Sequence, residues 1–332
     1  MLEGKTILIT GGTGSFGKRC CLELLRHHNL GKIIIFSRDE LKQSEMAASP
    51  NFSSKKIRYF IGDVRDKDRL VRAMTDVDFV IHAAALKQVP AAEYNPHEFI
   101  KTNINGAMNV VDAAIAAKVK KVIALSTDKA VNPINLYGAT KLCSDKVFTS
   151  ANNYSGRDGT RFSIVRYGNV IGSRGSVVPL FIKQRENGTL TLTKPEMTRF
   201  VIMIGDGVNF ALRSLNDMVG GEVFIPKLPS CSLENLAKAI APEAKIKEIG
   251  LRPGEKLHEA LLPEDESNKS IEQADRYIIH PSLPYWNYTG QKVHRGKPCP
   301  TGFSYSSETN PEQLSVEQIR ELIDRYQLNT LD

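Results

Sequence analysis

The chain has 332 residues, enough for one large domain or a domain with an attached lobe. Its net charge of +7 is spread without long basic runs, which argues against a nucleic-acid partner and favours anionic small ligands. No apolar stretch approaches the roughly 20 residues of a membrane span. Five cysteines without metal-ligand spacing and no signal peptide predict a cytoplasmic protein without a metal site.

The N-terminal segment predicts a dinucleotide site. Residues 5–10 form a short apolar strand pattern, followed by closely spaced glycines and an amphipathic helix pattern at residues 18–28. Such glycines let the backbone turn tightly and approach a pyrophosphate at the helix N-terminus. The alternative is an ordinary tight turn between strand and helix. The predicted cofactor contacts in this loop are Gly11, Thr13, Gly14, Ser15, Phe16 and Gly17.

The end of the second strand pattern, residues 32–36, predicts which dinucleotide binds. NAD enzymes usually place a carboxylate here for the ribose 2′-hydroxyl, and this chain has Ser37. Arg38 and Lys42 suit a 2′-phosphate, which favours NADP. Asp39 leaves NAD open, and the charges could also belong to a solvated helix start.

Strand and helix patterns then alternate, which is typical of a parallel sheet with helices on both faces. This pattern predicts an α/β fold of the Rossmann type, a doubly wound parallel sheet, with a smaller mixed α/β C-terminal lobe. We expect residues 1–168 to bind the nucleotide, with some later segments returning to that domain, and residues 169–332 to form mainly the substrate lobe and a C-terminal wrap. The predicted strands lie near residues 56–61, 77–82, 121–126 and 161–167, and the helices near 66–75, 96–118, 135–153 and 311–326. Further cofactor contacts are expected from Asp63, Val64, Ala83, Lys87 and Asn103.

Residues 123–141 carry the strongest chemical signal. Tyr137 and Lys141 are four residues apart, so a helix places them on one face, and the lysine would favour the phenolate as a proton acceptor. Asp128 and Lys129 follow the preceding strand as a second acid/base pair, unless they form only an ion pair at the strand end. Two such pairs suggest more than a simple hydride transfer.

These motifs resemble the extended short-chain dehydrogenases/reductases that act on nucleotide sugars. More narrowly, they are similar to the soluble inverting UDP-N-acetylglucosamine 4,6-dehydratases of bacterial pseudaminic acid synthesis. The resemblance extends to about residue 265. It is carried by segments 37–46, 62–66, 83–87, 126–130, 132–141, 166–170, 197–200 and 252–256.

The resemblance implies a tightly bound cofactor, a homo-oligomer (a hexamer built from dimers being one arrangement) and defined residue roles. Tyr137 with Lys141 would oxidise C4 of the sugar while Thr127 holds its hydroxyl. Lys129, if neutral, would remove the C5 proton, and Asp128 would protonate the departing 6-hydroxyl. The UDP-sugar contacts expected are Lys87, Asn169, Val170, Thr198, Arg199, Arg252 and Glu255.

Two other functions remain open from the sequence. A UDP-hexose 4-epimerase would need Tyr137 but leave Lys129 idle. A cofactor-binding regulator would usually have lost Tyr137 or Lys141, and this chain keeps both. A second Tyr-x-x-x-Lys sequence, Tyr288 to Lys292, is interpreted as chance in a proline-rich segment.

Overall fold

The computed structural model describes residues 2–156, 158–173, 175–281, 288 and 290–330. Its strands, in chain order, are β1 (Thr6–Thr10), β2 (Lys32–Ser37), β3 (Ile57–Ile61), β4 (Phe79–His82), β5 (Lys121–Thr127), β6 (Arg161–Tyr167), β7 (Asn169–Val170), β8 (Thr189–Leu192), β9 (Thr198–Ile202), β10 (Val223–Pro226), β11 (Ser230–Ser232), β12 (Lys245–Glu248), β13 (Ala260–Leu262), β14 (Ser270–Glu272), β15 (Arg276–Ile279), β16 (Lys297–Pro298) and β17 (Tyr305–Ser306).

Ten of these strands form one central sheet in the order β16-β14-β15-β10-β6-β5-β4-β1-β2-β3. Neighbouring strands pair in parallel along the part of the sheet formed by β10, β6, β5, β4, β1, β2 and β3. Beyond β10, the strands β15, β14 and β16 extend the sheet with antiparallel pairing. The order reverses between β1 and β4, and ligands of open α/β sheets bind at such a switch point, outside the carboxyl ends of the strands. The predicted α/β Rossmann-type fold is confirmed.

Helices cover both faces of the sheet and build the second lobe. In chain order they are α1 (Ser15–His27), α2 (Glu40–Ala48), α3 (Lys67–Ala73), α4 (Val89–Tyr94), α5 (Pro96–Phe99), α6 (Gly106–Ala116), α7 (Leu136–Ala151), α8 (Val177–Arg185), α9 (Ile204–Asp217), α10 (Leu233–Ile240), α11 (Glu264–Ser267), α12 (Gly290–Val293) and α13 (Val316–Thr330). Short 3₁₀ turns occupy Pro50–Phe52 and Asp128–Ala130, and a π-helical turn occupies Ile100–Asn105.

Apolar side chains form one main core and a second, smaller one. The main core packs along the central strands, for example at Ile9, Ile35 and Ile123, which are fully buried. The second core joins α8, α10 and α13 with β8 and β9, and includes Phe181 and Ile319. The chain leaves the sheet after β6 to build this second core, and α9, β10 and β14–β16 return to the sheet.

Two helices differ from their sequence-based bounds for identifiable reasons. The pattern at residues 96–118 is divided by the π-helical turn, because backbone hydrogen bonding there shifts register, a feature frequent at functional sites. The last helix begins at Val316 because Ser315 and Gln318 cap it reciprocally, the Ser315 hydroxyl accepting from the Gln318 amide and the Gln318 side chain from the Ser315 amide. Residues before it instead bond to Ser230 through Glu312 and Leu314.

Candidate active site

The carboxyl ends of the parallel strands open into one large cavity of about 1090 Å³. Sites for one small ligand usually measure roughly 300–1,000 Å³, so this cavity has room for a dinucleotide and a second ligand. Most sequence-predicted site residues line it: Gly11, Thr13, Gly14, Ser15, Phe16, Gly17, Ser37, Arg38, Lys42, Val64, Ala83, Lys87, Thr127, Asp128, Lys129, Tyr137, Lys141, Asn169, Val170, Arg199, Arg252 and Glu255. Among the described residues, three predicted ones lie outside the lining: Asp63, Asn103 and Thr198.

The loop after β1 has the shape that a pyrophosphate requires. Gly11 has a φ of +67°, and a Cβ there would lie 2.9 Å from the backbone nitrogen of Ala84, so this loop contacts the loop after β4. A Cβ on Gly17 would lie 2.5 Å from the Cα of Gly12. Helix α1 begins at Ser15 with no side-chain cap, which leaves first-turn N–H groups for a phosphate. The loop therefore fits a dinucleotide.

The residues after β2 decide the charge at the far end of the cavity. The Asp39 carboxylate caps α2, accepting from the Lys42 amide at 3.0 Å, and lies 2.6 Å from the Lys42 ammonium. These hydrogen bonds to Lys42 lower the pKa of Asp39. The Arg38 side chain is half exposed and lies 3.8 Å from Asp63. Asp39 is thus engaged with the helix start and with Lys42, and Arg38, Asp39 and Lys42 all border the cavity.

Asp63 and Asn103 do not line the cavity and form hydrogen bonds with neighbouring protein groups instead. Asp63 accepts hydrogen bonds from Arg65, at 2.7 Å for the shortest, while its neighbour Val64 faces the cavity. The Asn103 side chain accepts from the Leu86 amide and donates to the Leu86 carbonyl, each at 2.9 Å. It also donates to the Thr140 hydroxyl. Asn103 therefore fixes the loop after β4 to α7.

Tyr137 and Lys141 both lie on α7 and line the cavity, as the four-residue spacing predicts. Burial raises the pKa of the Tyr137 phenol to about 12, against the Lys129 charge and a hydrogen bond with Thr127 that lower it. The positive charge of Lys129 thus favours the phenolate, and the assistance expected from Lys141 stays a prediction. The Lys141 ammonium donates to the Leu125 carbonyl at 2.8 Å, and burial lowers the pKa of Lys141.

Asp128 and Lys129 form a buried pair at the end of β5. Oδ1 of Asp128 accepts from Thr127 Oγ1 at 2.8 Å and from Lys129 Nζ at 3.0 Å. Lys129 Nζ also lies 3.5 Å from Oε1 of Glu259. Burial alone lowers the pKa of Lys129, but the charges of Asp128 and Glu259 outweigh it and raise the pKa above that of an ordinary lysine. Lys129 is therefore a cation in this structure, whereas the predicted base role needs the neutral amine.

The predicted UDP-sugar residues also line the cavity, with the exception of Thr198. Asn169 Oδ1 is buried and accepts no hydrogen bond within the described part of the chain, so it is available to a ligand. The Arg199 guanidinium borders the cavity and donates to the carbonyls of residues 198, 256 and 257. Arg252 pairs with Glu255. Thr198 bonds instead to the side chains of His258 and Ser307.

Sequence reasoning missed Glu259. Its side chain is 3% exposed, lines the cavity and lies between Lys129 and Lys256. No local pattern marks it, because its partner Lys129 is far away in the chain and only the fold brings the two together. The sequence shows only that a glutamate lies three residues beyond the charged segment 252–256.

Comparison with known proteins identifies the family. The family model described as "Polysaccharide biosynthesis protein" matches residues 7–281. A UDP-N-acetylglucosamine 4,6-dehydratase (inverting) from Campylobacter jejuni is 55% identical, covering 98% of this chain and 98% of its own. The chain belongs to this dehydratase family. The sequence-based resemblance is confirmed.

More distant relatives of this dehydratase family member have other names. A UDP-glucose 4-epimerase from Rickettsia bellii is 43% identical, covering 97% of this chain and 96% of its own. The X-ray structure of Pen from Bacillus thuringiensis matches with a TM-score of 0.88 and 39% identity, covering 98% and 99% of the two chains.

Within the described residues, no helix is long and apolar enough to cross a membrane.

Proposed function

We propose that the chain is a UDP-N-acetylglucosamine 4,6-dehydratase that inverts C5. Its product would be UDP-2-acetamido-2,6-dideoxy-L-arabino-hex-4-ulose. The observation that carries the proposal is the convergence of Tyr137 with the Asp128–Lys129 pair in one cavity beside the glycine loop. A 4-epimerase needs only the tyrosine, so the second pair favours dehydration. The high identity to an inverting dehydratase supports the same assignment.

The first chemical requirement is oxidation at C4, because the C5 hydrogen of a hexose is not acidic until C4 is a ketone. A bound nicotinamide cofactor would supply the hydride acceptor and later return the hydride to C6. Tyr137 takes the proton of the C4 hydroxyl, and Thr127 holds that hydroxyl. Lys129 assists this step, since its charge favours the phenolate of Tyr137.

The elimination then uses the Asp128–Lys129 pair. A proton moves from the Lys129 ammonium to Asp128 along their 3.0 Å hydrogen bond, since a low dielectric reduces the preference for the charged form of such a pair. The neutral amine removes the C5 proton, and protonated Asp128 gives its proton to the departing 6-hydroxyl. Both groups thereby regain their original charge. A proton that comes from solvent then adds to the opposite face of C5, which gives inversion, and Tyr137 returns the proton of the C4 hydroxyl to solvent, which restores the phenolate for the next cycle.

The stereochemical course provides the test of this proposal. We incubate the protein and its cofactor with UDP-N-acetylglucosamine in deuterated water and record mass and proton spectra over time. We expect a product that has lost one water, has the L-arabino configuration and carries deuterium at C5. An unchanged sugar mass with altered C4 signals would identify an epimerase instead. Retained C5 configuration at the earliest times would contradict inversion.

We propose NADP as the cofactor, supported by Ser37 and Arg38 at the cavity and by the commitment of Asp39 to Lys42. Arg38→Ala should weaken NADP binding on the order of tenfold or more, because a charge-assisted bond to the 2′-phosphate is lost. NAD binding should change much less, since NAD lacks that phosphate. Calorimetric titration of both cofactors measures the contrast. Equal losses, or a native preference for NAD, would contradict NADP specificity.

The remaining parts of the proposal concern context. We propose a cytoplasmic homo-oligomer with tightly held cofactor, a hexamer built from dimers being the arrangement to test by light scattering. Residues 1–168 would bind mainly the cofactor and residues 169–332 mainly the UDP-sugar. The product would enter pseudaminic acid synthesis and hence flagellin glycosylation, which deletion of the gene and analysis of flagellin glycans would test.

A further inference from the structure

Glu259 is a buried carboxylate whose side chain meets two lysines. Its Oε1 lies 3.5 Å from Lys129 Nζ, and its Oε2 lies 3.7 Å from Lys256 Nζ. Among the described residues, Oε2 accepts no hydrogen bond although it is buried. Burying a carboxylate is costly unless it is paired, so its contacts with the two ammonium groups stabilise Glu259 in this position electrostatically.

The backbone at Glu259 is held firmly by the C-terminal part of the chain. The Glu259 amide donates to the Ser307 hydroxyl at 3.0 Å, and the Ser307 amide donates to the Glu259 carbonyl at 2.8 Å. Strand β13, which follows Glu259, pairs with β17. These bonds are made by the backbone of Glu259 and not by its carboxylate, and they fix the position of the backbone that carries the side chain.

Oδ1 of Asp128 also lies near Lys129 Nζ, at 3.0 Å. The ammonium therefore contacts two carboxylates from distant parts of the chain. We propose that Glu259 is a positioning residue, which holds the Lys129 ammonium against Asp128 and keeps it charged until substrate binds. This inference rests on the proposed dehydration, in which the Lys129 charge first assists Tyr137.

Several charged or titratable groups influence Lys129, and the effect of Glu259 must be separated from theirs. The two carboxylates favour its charged form, and the neighbouring cations oppose it. The groups concerned are Asp128, Tyr137, Glu259, Arg199, Lys87 and Lys256. Only the carboxylates contribute negative charge at neutral pH, so removal of Glu259 should lower the pKa of Lys129.

Competitive labelling of lysines tests this without requiring turnover. The protein is treated at mildly alkaline pH with a trace of amine-acylating reagent, which reacts only with neutral amines, and labelling of Lys129 is measured by mass spectrometry relative to Lys141. An opposite charge at this distance shifts a pKa by about 1 unit or more, so Glu259→Gln should increase relative labelling of Lys129 about tenfold or more. Glu259→Asp, which keeps the charge, should remain near the native value.

The control is Glu222→Gln, which removes a fully buried carboxylate that bonds to His294 and Ser163. Labelling of Lys129 should not rise in that variant. Unchanged labelling in Glu259→Gln, or an equal rise in Glu222→Gln or Glu259→Asp, would overturn the inference. If the proposed function fails, the native enzyme gives no dehydrated product, whereas failure of the Glu259 inference leaves native dehydration intact.

Discussion

Tyr137→Phe should abolish both C4 oxidation and dehydration. The substitution removes only the phenolic oxygen, which is the proposed proton acceptor for the C4 hydroxyl, and leaves the ring packed against the cluster of Ala92 and Phe99. General acid–base groups contribute on the order of 10² to 10⁴ in rate, so turnover should fall by at least that range. Stopped-flow absorbance of reduced nicotinamide after substrate addition measures the first step directly, and product mass measures the whole cycle.

The matched control is Tyr288→Phe, which removes the same oxygen from the other Tyr-x-x-x-Lys sequence. Tyr288 lies outside the cavity lining, and its hydroxyl bonds to His280 at 2.8 Å. This variant should keep nearly native turnover. If Tyr137→Phe retains native oxidation of C4, or if Tyr288→Phe loses it while still folded by circular dichroism, the assignment of Tyr137 is wrong.

Substitution of Lys129 should have the second large effect, and two variants separate its roles. Lys129→Ala removes both the proposed C5 base and the cation that favours the Tyr137 phenolate, so oxidation should slow and dehydration should cease. Lys129→Arg keeps the positive charge but cannot act as a base, because guanidinium stays protonated in proteins. We expect Lys129→Arg to oxidise C4 and accumulate reduced cofactor. The rate at which dehydrated product forms should fall on the order of 10²-fold or more.

Lys146→Ala provides the comparison for a lysine lost from the surface. Lys146 lies on α7 with an exposed side chain and should be dispensable for turnover. Native dehydration by Lys129→Arg would exclude Lys129 as the base. Equal rates of C4 oxidation in Lys129→Ala and the native enzyme would show that its charge does not assist Tyr137.

The sequence predicted those features that depend on neighbouring residues. Strand β6 occupies the expected residues 161–167, and the glycine loop precedes α1, because both signals are written in adjacent positions. The apolar pattern continues through the π-helical turn, so periodicity does not predict that turn. The predicted start of the last helix, residue 311, is too early, because apolar periodicity takes no account of the Ser315–Gln318 cap.

Electrostatic features of the site were harder to predict because they depend on contacts between distant segments. The sequence indicated that Lys129 follows Asp128, but not that a second carboxylate, that of Glu259 just before β13, approaches it. Similarly, the spacing of Tyr137 and Lys141 predicts that they share a helical face, but it does not show that the charge of Lys129 also lowers the pKa of the phenol. Burial and distance, which decide the sign of a pKa shift, exist only after folding.

The bonds between Ser307 and Glu259 also have a consequence for biosynthesis. A ribosome makes the dinucleotide loop before the segment that fixes Glu259, and domains generally fold in that order. The nascent chain therefore has its dinucleotide loop well before Lys129 contacts both carboxylates. We expect a nascent chain lacking β17 to be inactive, so that sugar chemistry begins only after β17 has been made.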